Sequence, residues 1–259
     1  PPFEYGMESY TDEWGITYHK IEDDYSFSYQ PLSHPLADAA IEDLEHYPWP
    51  DPDHPSRVKG LKEKCQHLYE NTDLALVGRF NSPIFEQAFM LRGFETFLMD
   101  LAINPDFACA LMDRLTEIAV RFGKVGLEAC GSCLQILRLA GDDMGHQTGT
   151  ILSPGMFREI IKPRFARLYR AAKEQFQQDN PQGRLMAHTD GDVYSLIPDY
   201  LEMGLDVLNP VQPNVTNMDH QRLKTEFGDR LSFHGAIDIQ HLMPFGTVEE
   251  VKAEARSTM

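Results

Sequence analysis

Five short apolar runs recur along this chain: DLALVGRF (73–80), LQILRL (134–139), RLMAHT (184–189), LDVLNPV (205–211) and LSFHGAI (231–237). Each has the length of a strand, and each is followed by at least one segment of helical periodicity. Continuous apolar runs belong to strands covered on both faces. Their alternation with helices predicts a parallel sheet joined by crossover helices. Strand-to-strand spacings of roughly 22 to 60 residues fit a (β/α) barrel. An open doubly wound sheet is the alternative. It usually carries a glycine-rich phosphate fingerprint after its first strand, and none follows residue 80.

The helices between these strands have readable ends. Ser82 and Pro83 open a helix over 82–103, and Asn104 and Pro105 open the next, over 104–129. A third helix, over 153–178, again starts with Ser-Pro and should bend at Pro163. Shorter helices are expected up to Gly204 and Gly228, and a last one from residue 247. The chain of 259 residues therefore divides into residues 1–57 and a single barrel domain over 58–259. The first part holds Trp14, Tyr18, Tyr25, Phe27 and Trp49 among many prolines. Residues 12–20 and 25–31 suit a hairpin, and 34–47 a short helix. It reads as a segment packed on the barrel, with a lid over the barrel mouth as the other reading.

Composition narrows the partners. The net charge is −17, and no stripe of Lys and Arg exists to neutralise phosphates, so nucleic acid is not expected. No apolar run approaches the length of a membrane span, and the first residues lack the pattern of a secretory signal, so a cytoplasmic protein is expected. Four cysteines stand at 65, 109, 130 and 133. The ACGSC pair (129–133) lacks the second pair that a zinc ribbon needs, and it follows a helix instead of opening one. It reads as structural.

Chemistry in a parallel barrel is built where strands end. Arg79 and Asn81 follow the first strand, and Asp142, Asp143, His146 and Gln147 the second. His188, Asp190 and Asp192 follow the third, Asn209 and Gln212 the fourth, and His234 and Asp238 the fifth. Each group has a bland reading: an aspartate caps a helix, GDDMG makes a turn, and a lone histidine is hydrogen-bonded. Five consecutive strand ends of the same character point instead to one polar rim, an active site.

Three stretches carry a resemblance: LRLAGDDMGHQTGTILSPGMFREIIKPRFARLYRAAK (137–173), AHTDGDVYSLIPDYLEMGLDVLNPVQP (187–213) and LKTEFGDRLSFHGAIDIQHLMPFGTVEEV (223–251). They are similar to the uroporphyrinogen decarboxylase superfamily from about residue 60 onward. The resemblance implies a TIM-type (β/α)8 barrel. It also implies one of two activities. The decarboxylases remove acetate carboxylates from a tetrapyrrole, in porphyrin biosynthesis, with no metal or organic cofactor. A second branch, corrinoid-linked methyltransferases and demethylases, uses zinc held by a His-x-Cys and a later Cys, the metal acting as a Lewis acid.

In HTDGDV, His188 matches the histidine of that pattern and Asp190 stands where the cysteine would be. A zinc site at His188 and Asp190 is therefore expected, with oxygen replacing thiolate and no third ligand identifiable. Asp142, Asp143 and His188 are the expected catalytic groups. Arg79, His146, Gln147, Asn209, Gln212, His234 and Asp238 are the expected substrate-binding groups. The first reading is a methyltransferase acting on a small methylated substrate, with a corrinoid protein as partner. The decarboxylase is the second. No arginine-rich loop like that of the decarboxylases appears in residues 1–12, and the family's late Cys or His would follow a further strand, beyond 257–259. The chain thus reads as a fragment of a longer one. A non-catalytic ligand-binding barrel is the third reading, and a homodimer is compatible with the family.

Overall fold

The computed structural model of the protein describes residues 6–23, 26–80, 83–139 and 141–258. Three strands precede the main sheet: β1 (Ser9–Thr11), β2 (Thr17–Glu22) and β3 (Phe27–Pro31), paired antiparallel in that order. The expected hairpin is β2 with β3, and Tyr25 in its turn lies outside the described residues. The helix expected over 34–47 shrinks to Asp43–His46, because successive turns occupy residues 35–42. Trp14, Ile16 and Leu36 join the main buried cluster, and Trp14 packs edge-on against Phe122 of the helix Pro105–Cys130.

The main sheet contains β4 (Val77–Gly78), β5 (Ile136–Arg138), β8 (Arg184–His188), β9 (Val207–Val211) and β10 (Ser232–Gly235). All four pairings are parallel, and the neighbours follow chain order, β4-β5-β8-β9-β10. Sequential parallel neighbours are what crossover helices of one hand produce. Among the described residues the two outer strands do not pair with each other, so the sheet is an arc of five staves. A small hairpin, β6 (Gly145–His146) with β7 (Gly149–Thr150), interrupts the crossover from β5 to β8.

Strand alternation divides the two faces of this arc. Leu137, Leu185, Ala187 and Leu208 face the helices and are fully buried. The register pairs Arg138 with Met186 and His188 with Asn209, which puts all four on the opposite face. The helices covering the outer face differ from expectation in two places. The helix expected over 82–103 is two, Phe85–Arg92 and Phe94–Ile103, hinged at Gly93 with φ +93°. That region of the backbone map costs a β-carbon energy, so the break is a glycine break. The helix expected over 153–178 starts at Pro154, makes a π-helical turn at Phe157–Ile161, and runs on as Lys162–Asp179. The widened turn accommodates the amide that Pro163 lacks. Ser82, the expected cap of the first of these helices, lies outside the described residues. No helix among the described residues is long and apolar enough to cross a membrane.

Candidate functional site

Two loops build the site, one after β5 and one after β8, and they are laced together along their length. The amide of Asp142 donates to the carbonyl of His188, that of Met144 to Oγ1 of Thr189, and that of Gly145 to the carbonyl of Asp190. In return the amide of Asp190 donates to Oδ1 of Asp143 at 2.8 Å, and that of Asp192 to the carbonyl of His146. Gly145 and Gly191 meet backbone to backbone. A β-carbon on Gly191 would fall 2.2 Å from the carbonyl carbon of Gly145, and Gly191 itself has φ +84°. Only glycine fits both positions.

This lacing brings three ligand-bearing side chains together. Nε2 of His188 lies 4.0 Å from Oδ1 of Asp143 and 3.9 Å from Oδ2 of Asp190, and the three donor atoms fall within 4.8 Å of one another. Behind the imidazole stands a hydrogen-bonded row. Nδ1 of His188 is 2.8 Å from Oδ1 of Asn209, and Nδ2 of Asn209 is 2.7 Å from Nδ1 of His234. An amide oxygen only accepts and an amide nitrogen only donates. His188 therefore carries its proton on Nδ1, and the Nε2 lone pair faces the two carboxylates. Gly141 makes room for the ring, since a β-carbon there would sit 2.6 Å from Cδ2 of His188.

Negative charge dominates the cluster. Burial raises the Glu86 carboxyl above its usual range, and the charge of Asp143 adds to this. Oε1 of Glu86 accepts the amide of Asp143 at 3.3 Å. Burial, then the charge of Asp143, likewise raises Asp190, against the pull of His188 and Arg138. Three crowded carboxyls with one imidazole suit a divalent cation. One nitrogen and two oxygens form a catalytic type of donor set, leaving coordination positions open. Ligands about 2.1 Å from one tetrahedral ion stand about 3.4 Å apart, so the two distances from His188 to the carboxylates, 4.0 and 3.9 Å, would each shorten by about half an ångström on a metal.

The other expected site residues are placed differently. Asp142 is buried, and its carboxylate accepts the amides of Ile84 and Glu86, capping the helix Phe85–Arg92 from another segment of the chain. Burial holds its carboxyl well above the usual range despite those amides. Its oxygens are turned inward, away from the three ligand atoms. Gln212 accepts the amide of Gly191 and so holds the loop. Gln147 donates to the carbonyl of Asn214, and His146 is exposed on the β6–β7 hairpin with its ring beside Thr148. Asp238 accepts the amides of Gln240 and His241 in its own turn. Arg79, just past β4, is exposed and lines a cavity with Glu13, Arg57, Phe122 and Gly126.

Sequence reasoning missed Glu86, Arg138, Gly141 and Thr189. Two of these left signals. Glu86 lies in the first turn of the helix after the first strand, hence at the same rim, and Arg138 is a charge inside an apolar run.

A sequence model of the family described as uroporphyrinogen decarboxylase (URO-D) matches residues 25–259. A methylated-thiol–coenzyme M methyltransferase of Methanosarcina mazei is 26% identical over 230 residues, 88% of this chain and 57% of the relative. The chain thus spans little more than half the length of that relative. Among solved structures, a methyltransferase from Methanosarcina mazei aligns with a TM-score of 0.65 at 19% identity, covering 95% of this chain and 66% of that one. At that identity the likeness speaks to the fold alone.

Proposed function

The chain belongs to the uroporphyrinogen decarboxylase family, and on that footing we propose that it is a methyltransferase acting on a small methylated substrate. The observation that carries the reading is the convergence of Asp143, His188 and Asp190 at the rim of the sheet. The relative named as a methyltransferase supports it. The five-stave arc is read as part of a (β/α)8 barrel, supported by its sequential parallel order. A corrinoid protein is the proposed partner, carrying the methyl group to or from the site.

In this reading Asp143, His188 and Asp190 hold a divalent cation, with zinc the first candidate. The cation supplies Lewis acidity, which lowers the pKa of a bound thiol or hydroxyl. With Asp190 where a thiolate would stand, the donor set is harder and also suits manganese or iron(II). Asn209 fixes the tautomer that frees Nε2, the role of an outer partner to a ligating histidine. Glu86 keeps a proton beside Asp143 to a higher pH than a free glutamate would, so it can donate a hydrogen bond to a developing anion. Asp142 positions the helix Phe85–Arg92 and thereby Glu86.

The test is methyl transfer from free methylcobalamin to small thiols, alcohols and amines, with zinc or manganese supplied. Turnover is followed by the cobalamin spectrum under anaerobic conditions. Turnover lost in His188→Ala and in Asp143→Asn supports the reading. Turnover that survives both substitutions, or carboxyl loss from uroporphyrinogen in the same preparation, overturns it.

A further inference from the structure

The tautomer of His188 decides whether Nε2 has a lone pair to offer, and the hydrogen-bonded row behind the ring decides the tautomer. That row crosses three neighbouring strands. His188 of β8 pairs with Asn209 of β9, and Leu208 pairs with Phe233 of β10, which brings His234 level with Asn209. The register then shifts. Val211 pairs with Gly235, so Asn209 and Pro210 together stand against His234 alone. A bulge of this kind re-aims side chains. Here Nδ2 of Asn209 comes to 2.7 Å from Nδ1 of His234, while Oδ1 stays 2.8 Å from Nδ1 of His188.

Asn209 cannot set the direction of this row by itself. The two ends of a side-chain amide have nearly the same shape, and one donates while the other accepts. Turned over, Asn209 would offer Nδ2 to His188. Nδ1 of His188 would then have to accept, and the ring proton would stand on Nε2, where it blocks the ligand position. His188 suits either arrangement by changing tautomer. Among the described residues the two imidazoles are the only hydrogen-bond partners of the Asn209 side chain. The choice therefore falls to the far end of the row.

From this arrangement we infer that His234 is a positioning residue: by accepting the Asn209 amide at Nδ1, with its own proton on Nε2, it fixes the direction of the row and keeps Nε2 of His188 free. It acts through Asn209. The value of a free Nε2 to a cation rests on the proposed function. The direction of the row does not.

The test is the nitrogen-15 NMR spectrum of the metal-free protein labelled at its histidines, in which a protonated ring nitrogen and a bare one resonate far apart. The signals of His188 are identified by their loss in His188→Ala. Wild type, His234→Ala and His234→Asp are compared at pH 8. The wild type should show His188 protonated at Nδ1 and bare at Nε2, and His234 protonated at Nε2. His234→Ala removes the acceptor, so a share of His188 should carry its proton on Nε2 instead. In His234→Asp a carboxylate oxygen, which only accepts, stands at about the reach of Nδ1, and it should restore the wild-type pattern. His234 is exposed on β10, an outer strand among the described residues, so neither substitution threatens the fold. A proton on Nε2 of His188 in the wild type, an unchanged pattern in His234→Ala, or no restoration in His234→Asp overturns the inference.

Zinc affinity measured on the same proteins separates this inference from the proposed function. His234→Ala should bind zinc about tenfold more weakly, the lower end of what loss of an outer partner costs a ligating histidine. Tautomers that follow the expectation in proteins that bind no zinc would remove the proposed function and leave the role of His234. Zinc bound equally by wild type and His234→Ala, with one tautomer pattern in both, would do the reverse.

Discussion

Gly141 is the residue on which the aim of His188 depends, and replacing it with alanine makes the dependence measurable. The new β-carbon would lie 2.6 Å from Cδ2 of the imidazole. Carbon atoms rest at about 3.5 Å or more, so the ring must retreat by about 1 Å. Its bond from Nδ1 to Asn209 is 2.8 Å long, and an added ångström takes it out of hydrogen-bonding range. The ring then loses both the partner that fixes its tautomer and its alignment with Asp143 and Asp190. Loss of an outer partner of a ligating histidine weakens metal binding by about 10- to 100-fold, or about 1.4 to 2.8 kcal/mol. Overpacking costs stability as well, about 1 to 3 kcal/mol, so urea unfolding must accompany the measurement. The assay is competition for zinc between the protein and a chromophoric chelator, on the wild type, Gly141→Ala, Asn209→Ala and the double variant. Both substitutions act through the same ring, so the double variant should lose less than the sum of the singles. A folded Gly141→Ala protein that binds zinc as tightly as the wild type would show that His188 does not depend on the space at Gly141.

Asp142→Ala removes the acceptor for the amides of Ile84 and Glu86 and leaves one donor buried and the other half-buried, so it should cost about 2 to 4 kcal/mol in urea unfolding. Asp142→Asn should restore part of that, and a loss below about 0.5 kcal/mol would show that the cap does not matter. The thiols give a third expectation. Burial, and then Cys65, push the Cys130 thiol up to about 12, and Cys65, Cys130 and Cys133 are buried while Cys109 is partly exposed. At pH 8, iodoacetamide should therefore label Cys109 in the folded protein and the other three only after unfolding. An unfolded thiol ionises near about 8.5, so the neutral Cys130 contributes stability fully below that pH, and the contribution is lost as pH climbs toward about 12. Labelling of Cys130 in the folded state, or stability that is flat across that window, contradicts this.

The fold was legible in large part because burial on both faces leaves an unbroken apolar run, and each of the five runs became a strand of the parallel sheet. The runs overstate strand length. DLALVGRF yields only Val77–Gly78, because apolarity marks burial and not ladder pairing. Breaks within helices were read unevenly. Pro163 announced its effect, whereas Gly93 gave no warning, since an isolated glycine is tolerated in many helices. The polar rim was visible as a set of residues, but orientation was not. Asp142 and Asp143 are adjacent, yet one turns inward to a helix end and the other outward to His188, and that choice is made by tertiary hydrogen bonds. Glu86 escaped notice because its partners, Asp143 and His188, are 57 and 102 positions away.

The proposed function stands on a metal centre formed by Asp143, His188 and Asp190. Elemental analysis of the purified protein beside His188→Ala, both confirmed as folded, tests it most directly. About one divalent cation per chain, absent from the variant, is the predicted result. No cation in either protein after zinc or manganese is supplied, or the same content in both, would contradict it.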